Sequence, residues 1–369
     1  MKYQGNSEFT HSQVDKVGVL ITNLGTPDAP QKKQLRAYLK EFLSDPRVVE
    51  VPRLIWWFIL NLVILNIRPS RSAKAYKTVW TERGSPLMYH TQDQAIALRK
   101  TLQKHYGEHV IVEFAMRYGA PSVDSVIDSM LKQGVRKLVV LPLYPQYCAS
   151  TTASTFDAVA ASLGKKRWMP ELQFITHYHD NPDYIQAVAD KIRAHWQLNG
   201  QADKLIFSFH GIPKRYLLKG DPYHCECYKT SRLIAQNLGL DESQHFTSFQ
   251  SRFGREEWLK PYTDSSLRQF AKDGIKSVQV VCPGFSADCL ETIEEIAIEN
   301  RDYFLEAGGQ SYQYIEALNA DTAHIDAMSQ ILKPYLSSMI NKSEGINVPS
   351  VQSDLANRQQ LAKALGAEN

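Results

Sequence analysis

The chain carries one sequence pattern twice, and this duplication constrains its fold more than any other feature. The matching pairs are 114–119 with 249–254, 24–27 with 210–213, and 134–142 with 274–283. Three matches in the same order indicate two copies of one βα unit. Positions that form the scaffold should be shared between the copies, so the differences mark positions available for chemistry. The leading difference is Leu24 in the first copy against His210 in the second.

Short β-branched and aromatic runs alternate with segments of helical period, a pattern typical of parallel βαβ units. The predicted strands are 17–24, 110–116, 137–143, 172–176, 204–209, 246–249 and 277–282, with helices such as 123–132 and 184–196 between them. Most of these strands lack polar alternation, as strands covered on both faces should. The prediction is an α/β fold of two Rossmann-like, doubly wound parallel-sheet lobes related by internal duplication.

The predicted domain limits follow from these elements. They are an N-terminal extension at 1–16, an N-terminal lobe at 17–175 with an inserted apolar segment at about 45–95, a C-terminal lobe at 176–333, and a polar tail at 334–369 with a short helix at 359–365. In doubly wound sheets, ligands bind beyond the carboxyl ends of the strands. One cleft should therefore be ringed by Gly25, Arg117, Pro142, His210, Arg252 and Pro283. The first strand is followed by no glycine-rich phosphate motif, so neither a dinucleotide nor a triphosphate is indicated.

The first copy is longer than the second. Leu24 and Arg117 are 93 residues apart, whereas His210 and Arg252 are 42 apart, so the first copy holds an insertion of 51 residues. The insertion contains the most apolar run of the chain, residues 54–67. One interpretation is a buried core helix. Two flanking arginines, paired tryptophans and two interrupting asparagines favour another, a lip beside a pocket or a shallow contact with a bilayer.

Bulk composition excludes several classes of protein. A chain of 369 residues with 43% hydrophobic and 22% charged residues is typical of a globular protein of two or three domains. A net charge of +3 without a basic, aromatic-rich run argues against nucleic acid as a partner. Residues 1–13 are polar, so we expect no export signal. Five cysteines without regular spacing fit a reducing compartment. We expect a cytoplasmic protein, with peripheral membrane contact left open.

His210 and an acidic row are the groups best placed for chemistry. His210 precedes a Gly-x-Pro turn at a predicted strand end, where imidazole could accept a proton or bind a transition metal. Glu291, Glu295 and Glu299 recur every four residues and so lie near one face of a helix, and a π-helical bulge would align them still better. A solvated acidic face is the alternative. Three carboxylates in a row would repel each other and favour binding a cation or carrying protons.

Aromatic and polar residues near the same strand ends could bind a flat ligand. Tyr118, Tyr144, Tyr147, Trp258 and Phe253 could form an apolar slot, although each alone could be core packing. Arg117 and Arg252, with Ser150, Thr151 and Thr152, could meet ligand carboxylates.

The run His224-Cys-Glu-Cys227 could supply half of a metal site, but the second cysteine or histidine pair that a closed zinc site needs is missing from the sequence. A surface loop is the favoured interpretation of this run.

With these residues, the chain resembles ferrochelatase of the bacterial type, which inserts ferrous iron into protoporphyrin IX in the last step of haem synthesis. The resemblance covers residues 17 to about 334. It rests on Asn23-Leu-Gly-Thr-Pro27, Arg117-Tyr-Gly119, Leu143-Tyr-Pro-Gln-Tyr147 with Ser150-Thr-Thr152, Ser208-Phe-His-Gly-Ile-Pro213, Gly220-Asp-Pro-Tyr223, Phe249-Gln-Ser-Arg252, and Cys282-Pro-Gly-Phe285 with Asp288-Cys-Leu-Glu-Thr292.

The resemblance implies a chelatase-like fold and specific roles. His210 and Glu291 would face each other across the macrocycle as catalytic and metal-binding residues, and Glu295 and Glu299 would continue an acidic, partly π-helical path for metal or protons. The inserted segment would form a lip over the porphyrin and touch the inner face of the cytoplasmic membrane. The expected porphyrin contacts are Leu24, Arg117, Tyr118, Tyr144, Tyr147, Ser150, Thr151 and Trp258.

The chain differs from other members of the family in two respects, and each difference leads to an expectation. Some members have a tyrosine where Leu24 stands, so no axial oxygen ligand is expected from that position. Others hold a [2Fe-2S] cluster with C-terminal cysteines, whereas the last cysteine here is Cys289, so we expect no cluster and no other cofactor, with Fe²⁺ as substrate. A cobalt or nickel chelatase and a non-catalytic porphyrin or haem carrier are the alternatives. A carrier would have no need of three aligned acids.

Overall fold

The computed structural model describes residues 3–5, 9–254, 256–340 and 348–367. It contains two four-stranded sheets, and every strand pair in both is parallel. The first sheet has the order β2-β1-β3-β4 and the second the order β6-β5-β7-β8. The strands are β1 Lys16–Gly25, β2 Val110–Tyr118, β3 Val135–Pro142, β4 Glu171–Phe174, β5 Lys204–His210, β6 His245–Gln250, β7 Ser277–Val281 and β8 Ser311–Ile315. The identical order of the two sheets agrees with the duplication read from the sequence and confirms the predicted fold class.

Helices connect the strands and cover the sheets. They are α1 Lys32–Ser44, α2 Arg53–Phe58, α3 Leu65–Val79, α4 Pro86–Tyr106, α5 Val123–Lys132, α6 Ser154–Leu163, α7 Pro182–Asn199, α8 Lys214–Leu218, α9 Tyr223–Leu238, α10 Thr263–Lys272, α11 Arg301–Glu306, α12 Thr322–Met339 and α13 Val348–Ala364. Three π-helical segments, Ile59–Ile64, Ala149–Ala153 and Glu291–Asn300, and a short 3₁₀ turn at Gly107–His109 complete the set. No helix in the part of the chain that the structure describes is long and apolar enough to cross a membrane.

The inserted segment forms a nearly continuous helical arm, which we call the lip: α2, the π-helical turn Ile59–Ile64 and α3. Pro69 lies inside α3 and cannot donate a hydrogen bond to Leu65 O, four residues earlier. Arg36 of α1 donates to that carbonyl instead. Trp56, Leu60 and Leu65 of the lip are buried, whereas most of its other large apolar side chains face solvent. The interpretation of the run as a fully buried core helix is therefore wrong.

One hydrophobic core extends through both lobes. It joins Ile21 of β1 and Leu98 of α4 to Phe207 of β5 and Leu332 of α12. Helix α12 follows the last strand of the second lobe but packs against α4 and β3 of the first. Lys137 Nζ of β3 donates to Met339 O at the end of α12, at 2.5 Å.

Three boundaries differ from the predictions. The predicted limit between residues 333 and 334 falls inside α12, because the helix continues through Pro334 to bury Leu336 and Met339. The predicted end of the insertion near residue 95 falls inside α4, whose Leu98 and Leu102 belong to the core. In the tail, α13 is longer than the short helix predicted at 359–365. The division into domains itself stays a prediction.

Candidate active site

His210 is the last residue of β5, at the carboxyl edge of the second sheet. Its Nδ1 lies 2.6 Å from Gly211 O. A carbonyl oxygen can only accept a hydrogen bond, so Nδ1 carries the proton and the lone pair of Nε2 is available. The ring centroids of Trp258 and Phe285 each lie 6.5 Å from that of His210, so the imidazole has aromatic neighbours on its flanks.

Gln250 links His210 to the acidic helix. It ends β6 as the register partner of His210, and its carbonyl accepts the Gly211 N–H at 2.7 Å. Its side-chain Nε2 donates to Glu291 O at 3.0 Å. The backbone at the start of the π-helix Glu291–Asn300 is thereby fixed beside the end of β5. The backbones of His210 and Glu291, the two residues predicted to act together, are thus connected through one intervening residue, Gln250.

A buried carboxylate, Asp288, positions the start of this π-helix. Its Oδ1 accepts hydrogen bonds from Thr292 Oγ1 at 2.9 Å and from Tyr314 Oη at 2.6 Å. Its Oδ2 accepts from Asn319 Nδ2 at 2.7 Å. With both carboxylate oxygens hydrogen-bonded, Asp288 anchors the residues that follow it, among them Glu291.

The acidic row spans a range of environments. Glu295 accepts hydrogen bonds from Ser251 N at 2.7 Å and from Ser251 Oγ. Burial raises its pKa to about 7, with a smaller contribution from Glu291, while the Ser251 hydrogen bonds oppose the rise. Glu299, one turn further, is exposed. A carboxyl that titrates near neutral pH between its two neighbours can take up and release protons.

Sequence reasoning missed Glu294, which belongs to the same acidic group. Burial raises the pKa of Glu294, and Glu299 and Glu291 raise it further, while Arg71 of α3 opposes the rise. The spacing of four that revealed the other three glutamates could not reveal this one. Its i to i+5 relation to Glu299 would be a signal only for a segment already assigned as π-helical.

Glu291 faces the first lobe. Its charge raises the pKa of Tyr38 on α1 and of Tyr76 on α3, although burial is the larger cause for both phenols. It also favours the charged form of Arg68, whose pKa is lowered mainly by burial. The guanidinium of Arg68 lies 4.6 Å from the ring centroid of Phe253 in the second lobe. Helix α3 packs directly on the π-helix, so the lip lies beside the acidic row.

The loop after β3, which carries several of the predicted porphyrin contacts, is held in place by the second lobe. Asp221 Oδ2 accepts the N–H of Ala149 at 2.8 Å, and Glu226 Oε2 accepts that of Tyr147 at 2.6 Å. Ser150 and Thr151 lie in the π-helical turn Ala149–Ala153 and are partly exposed.

Two predicted ligand contacts have polar atoms without partners. Tyr144 Oη, in the loop after β3, and Trp258 Nε1, beside His210, are both buried, and neither has a hydrogen-bond partner among the residues that the structure describes. Buried polar groups are normally satisfied, so the two atoms lack the partners that a protein interior usually supplies, and their contact with a porphyrin stays a prediction.

The side chains of Arg117 and Tyr118 already bind other residues of the protein. Arg117 forms an ion pair with Asp45 at 2.5 Å, and its Nε donates to Ser154 Oγ at 2.7 Å. Tyr118 is buried and donates to Asp45 at 2.8 Å. Porphyrin contacts from these two residues would require those bonds to open, and their assignment stays a prediction. Leu24, at the end of β1, is partly buried and packs near Phe285, one of the aromatic neighbours of His210.

Comparison with known proteins identifies the family. The family model described as Ferrochelatase matches residues 16–336. The ferrochelatase of Pseudoalteromonas atlantica is 62% identical over 368 residues, covering 100% of both chains. The ferrochelatase of Idiomarina loihiensis is 62% identical over 362 residues, covering 98% of this chain and 97% of the other.

Solved structures support the fold. The chain is similar to SirB from Bacillus subtilis with Fe3+, with a TM-score of 0.50 at 12% identity, covering 86% of this chain and 94% of SirB. At that identity the likeness shows the two-lobed chelatase fold alone. The duplicated sheets, the family model and the full-length relatives lead to one conclusion: the chain belongs to the ferrochelatase family.

Proposed function

We propose that His210 and the acidic row of Glu291, Glu295 and Glu299 carry out the reaction of this family. As a family member, the chain is a metal chelatase that inserts ferrous iron into protoporphyrin IX to form protohaem. The observation that supports the residue assignment is the link from the backbone of His210 through Gln250 to the backbone of Glu291, at the carboxyl end of the second sheet.

The chemistry of the macrocycle defines what the residues must do. Planar protoporphyrin holds two N–H protons at its centre, and a metal cannot enter until the ring buckles and these protons leave. A shaped slot can hold a distorted ring, with strain of about 1 to 5 kcal/mol supplied by contacts remote from the centre. His210 can accept a pyrrole proton at Nε2, because Gly211 O holds the other nitrogen protonated.

Glu295 is proposed to relay protons away from the cleft or metal ions toward it. Its carboxyl lies between Glu291, which faces the lip, and Glu299, which is exposed. A pKa of about 7 lets Glu295 change its protonation state at little cost in free energy. When a proton or a metal ion arrives at the exposed Glu299, Glu295 can therefore compensate the added charge by taking up or releasing a proton.

The test is anaerobic incubation of the protein with ferrous iron and protoporphyrin IX, following the loss of free porphyrin fluorescence. We expect His210→Ala to lower the insertion rate by at least about 10²-fold, the contribution typical of a general base, while porphyrin binding stays measurable. His109→Ala is the matched control, because this exposed histidine precedes β2 at the amino end of the first sheet, whereas His210 lies at the carboxyl end of β5 in the second sheet. Wild-type turnover by His210→Ala would remove the assigned role.

We further propose that the lip brings the protein to the inner face of the cytoplasmic membrane. Its large exposed apolar side chains are Leu54, Ile55, Trp57, Phe58, Ile59, Leu62, Val63 and Ile67. A contiguous apolar surface of this kind on a helix that contains aromatic residues supports shallow insertion at the level of the lipid headgroups. The protein would then work in the cytoplasm as a peripheral membrane enzyme.

We also propose that the protein holds no iron–sulfur cluster and no other cofactor. The support is the position of the cysteines, the last of which is Cys289. Cys225 is exposed, while Cys148, Cys227, Cys282 and Cys289 are buried. The test is the visible and electron paramagnetic resonance spectrum of anaerobically purified protein, in which a cluster signal would contradict the proposal.

A further inference from the structure

Three side chains that could bind a metal ion lie close together outside the predicted cleft. His177 and His179 follow β4, and Glu226 lies in the first turn of α9. His177 Nδ1 lies 3.1 Å from Glu226 Oε1, and His179 Nδ1 lies 3.3 Å from Glu226 Oε2. One ligand atom from each residue can be chosen so that all three lie within 4.8 Å of one another. Such separations suit ligands that share one ion at about 2.0 to 2.2 Å each.

The buried histidine has a nitrogen without a hydrogen bond. The side chain of His179 is 8% exposed, and within the described part of the chain its Nδ1 has no hydrogen-bond partner, although Glu226 Oε2 lies 3.3 Å away. The other nitrogen, Nε2, lies 3.9 Å from Asp180 Oδ2. Buried polar atoms are normally satisfied. An ion between Nδ1 and the Glu226 carboxylate would satisfy both, and Asp180 would stand behind the ligand, as carboxylates often do behind metal-bound histidines.

The neighbouring cysteines do not take part. Cys227, one residue after Glu226, points into the core and is fully buried, and Cys225 is exposed outside the cluster. The run His224-Cys-Glu-Cys227 therefore does not supply half of a thiolate site. It contributes the carboxylate alone, and the partner ligands come from a segment about 50 residues earlier in the chain.

We propose that His177, His179 and Glu226 form a second divalent metal site, separate from the chelation cleft. Two imidazoles and one carboxylate bind ions of the zinc, iron(II), cobalt(II) and nickel(II) group and leave coordination positions open. His177 is 50% exposed, so an ion can enter from solvent.

The site has a structural consequence for the cleft. Glu226 Oε2 also accepts the N–H of Tyr147, in the loop that carries Ser150 and Thr151. A bound ion would fix the Glu226 carboxylate and, through it, the start of this loop. The ion would thus reinforce the contact that Glu226 makes with this loop of the first lobe. The inference does not depend on the proposed roles of His210 and the acidic row.

The test is calorimetric titration of the metal-free protein with Zn²⁺ alone, repeated with Co²⁺ to record its visible absorption. The His210→Ala protein is titrated as well, so that binding in the cleft is separated from binding here. We expect this site to persist in His210→Ala, and its Zn²⁺ affinity to fall by at least about tenfold in His177→Ala and in Glu226→Gln. Glutamine keeps an acceptor for the Tyr147 N–H, and His177 is exposed enough to be replaced without unfolding.

Cys225→Ser is the control for adventitious binding by the exposed thiol, and it should leave the affinity unchanged. Unaltered Zn²⁺ binding in His177→Ala, or loss of binding in Cys225→Ser, would overturn the proposal. Because the readout is metal binding rather than iron insertion, its failure is distinguishable from a failure of the proposed catalytic roles.

Discussion

The tautomer of His210 shows how a single backbone contact prepares a side chain for chemistry. Gly211 cannot be replaced without moving Gln250 or Trp258, because a Cβ at that position would lie 2.7 Å from Gln250 O and 3.2 Å from Trp258 Cε3. The same close approach that requires glycine keeps its carbonyl 2.6 Å from Nδ1. The proton is thus held on Nδ1, and the lone pair on Nε2 remains available to accept another proton.

Glu295 should make stability depend on pH. Its pKa of about 7 lies above the value of about 4.3 for free glutamate, so between these values the folded protein binds the proton more tightly than the unfolded chain. Its contribution to stability is therefore complete below about pH 4 and is lost as the pH rises to 7. Glu295→Gln removes this titration, and we expect its stability relative to wild type to rise by roughly 2 kcal/mol between about pH 5.5 and pH 8.

Urea denaturation at the two pH values measures this difference. Glu299→Gln is the matched control, because it removes an equal charge from an exposed position of the same helix. A difference between Glu295→Gln and wild type that did not change with pH would show that the carboxyl does not titrate in this range.

At the scale of elements, the lip faces two ways. Trp56, Leu60 and Leu65 attach it to α1 and to Tyr118, while its opposite side exposes apolar residues to solvent. The exposed residues can therefore be changed without disturbing the attachment of the lip to the lobe.

Replacing Leu62 and Ile67 by serine should weaken binding to lipid vesicles. The two side chains are 64% and 69% exposed, so neither supports the core. Each buried aliphatic side chain contributes about 1.5 to 3 kcal/mol when it leaves water, so we expect the partition coefficient to fall by at least about tenfold. Co-sedimentation with vesicles containing anionic lipid measures it. Leu198→Ser, at an 86% exposed leucine at the end of α7, should have no effect. An equal loss in both variants would argue against a lip-specific contact.

The sequence predicted the strands and helices better than it predicted which of them pack together. The β-branched and aromatic runs located seven strands, the repeat singled out His210, and the spacing of the acids identified the helix that is π-helical in the structure. The sequence analysis missed β8, whose Ser311-Tyr-Gln-Tyr-Ile run alternates polar and aromatic residues at the sheet edge.

Two residues that face Glu291 come from elements that the repeat does not relate to each other. Tyr38 lies on α1 and Tyr76 on α3, and α3 belongs to the insertion, which has no counterpart in the second copy. The sequence could not predict this contact, because it depends on the packing of α3 against the π-helix.

At the scale of the whole molecule, the two lobes are joined by a helix, α12, that lies outside the repeated sequence segments. Helix α12 follows β8 in sequence but packs against α4, β3 and α7, so the second lobe ends on the first. Two lobes with a common core should unfold together, whereas two independent domains would unfold at different denaturant concentrations.

Leu336→Ala should therefore destabilise both lobes by the same amount. This fully buried residue of α12 belongs to the shared core, and removing its side chain should cost about 2 to 5 kcal/mol. Hydrogen exchange followed by mass spectrometry can report β1 and β5 separately, and we expect both strands to lose the same protection. Leu361→Ala, in α13 at a 58% exposed position, should change stability by less than about 0.5 kcal/mol. Loss of protection in β1 alone would mean that α12 stabilises only the lobe on which it packs, and that the cleft lies between two independently stable domains.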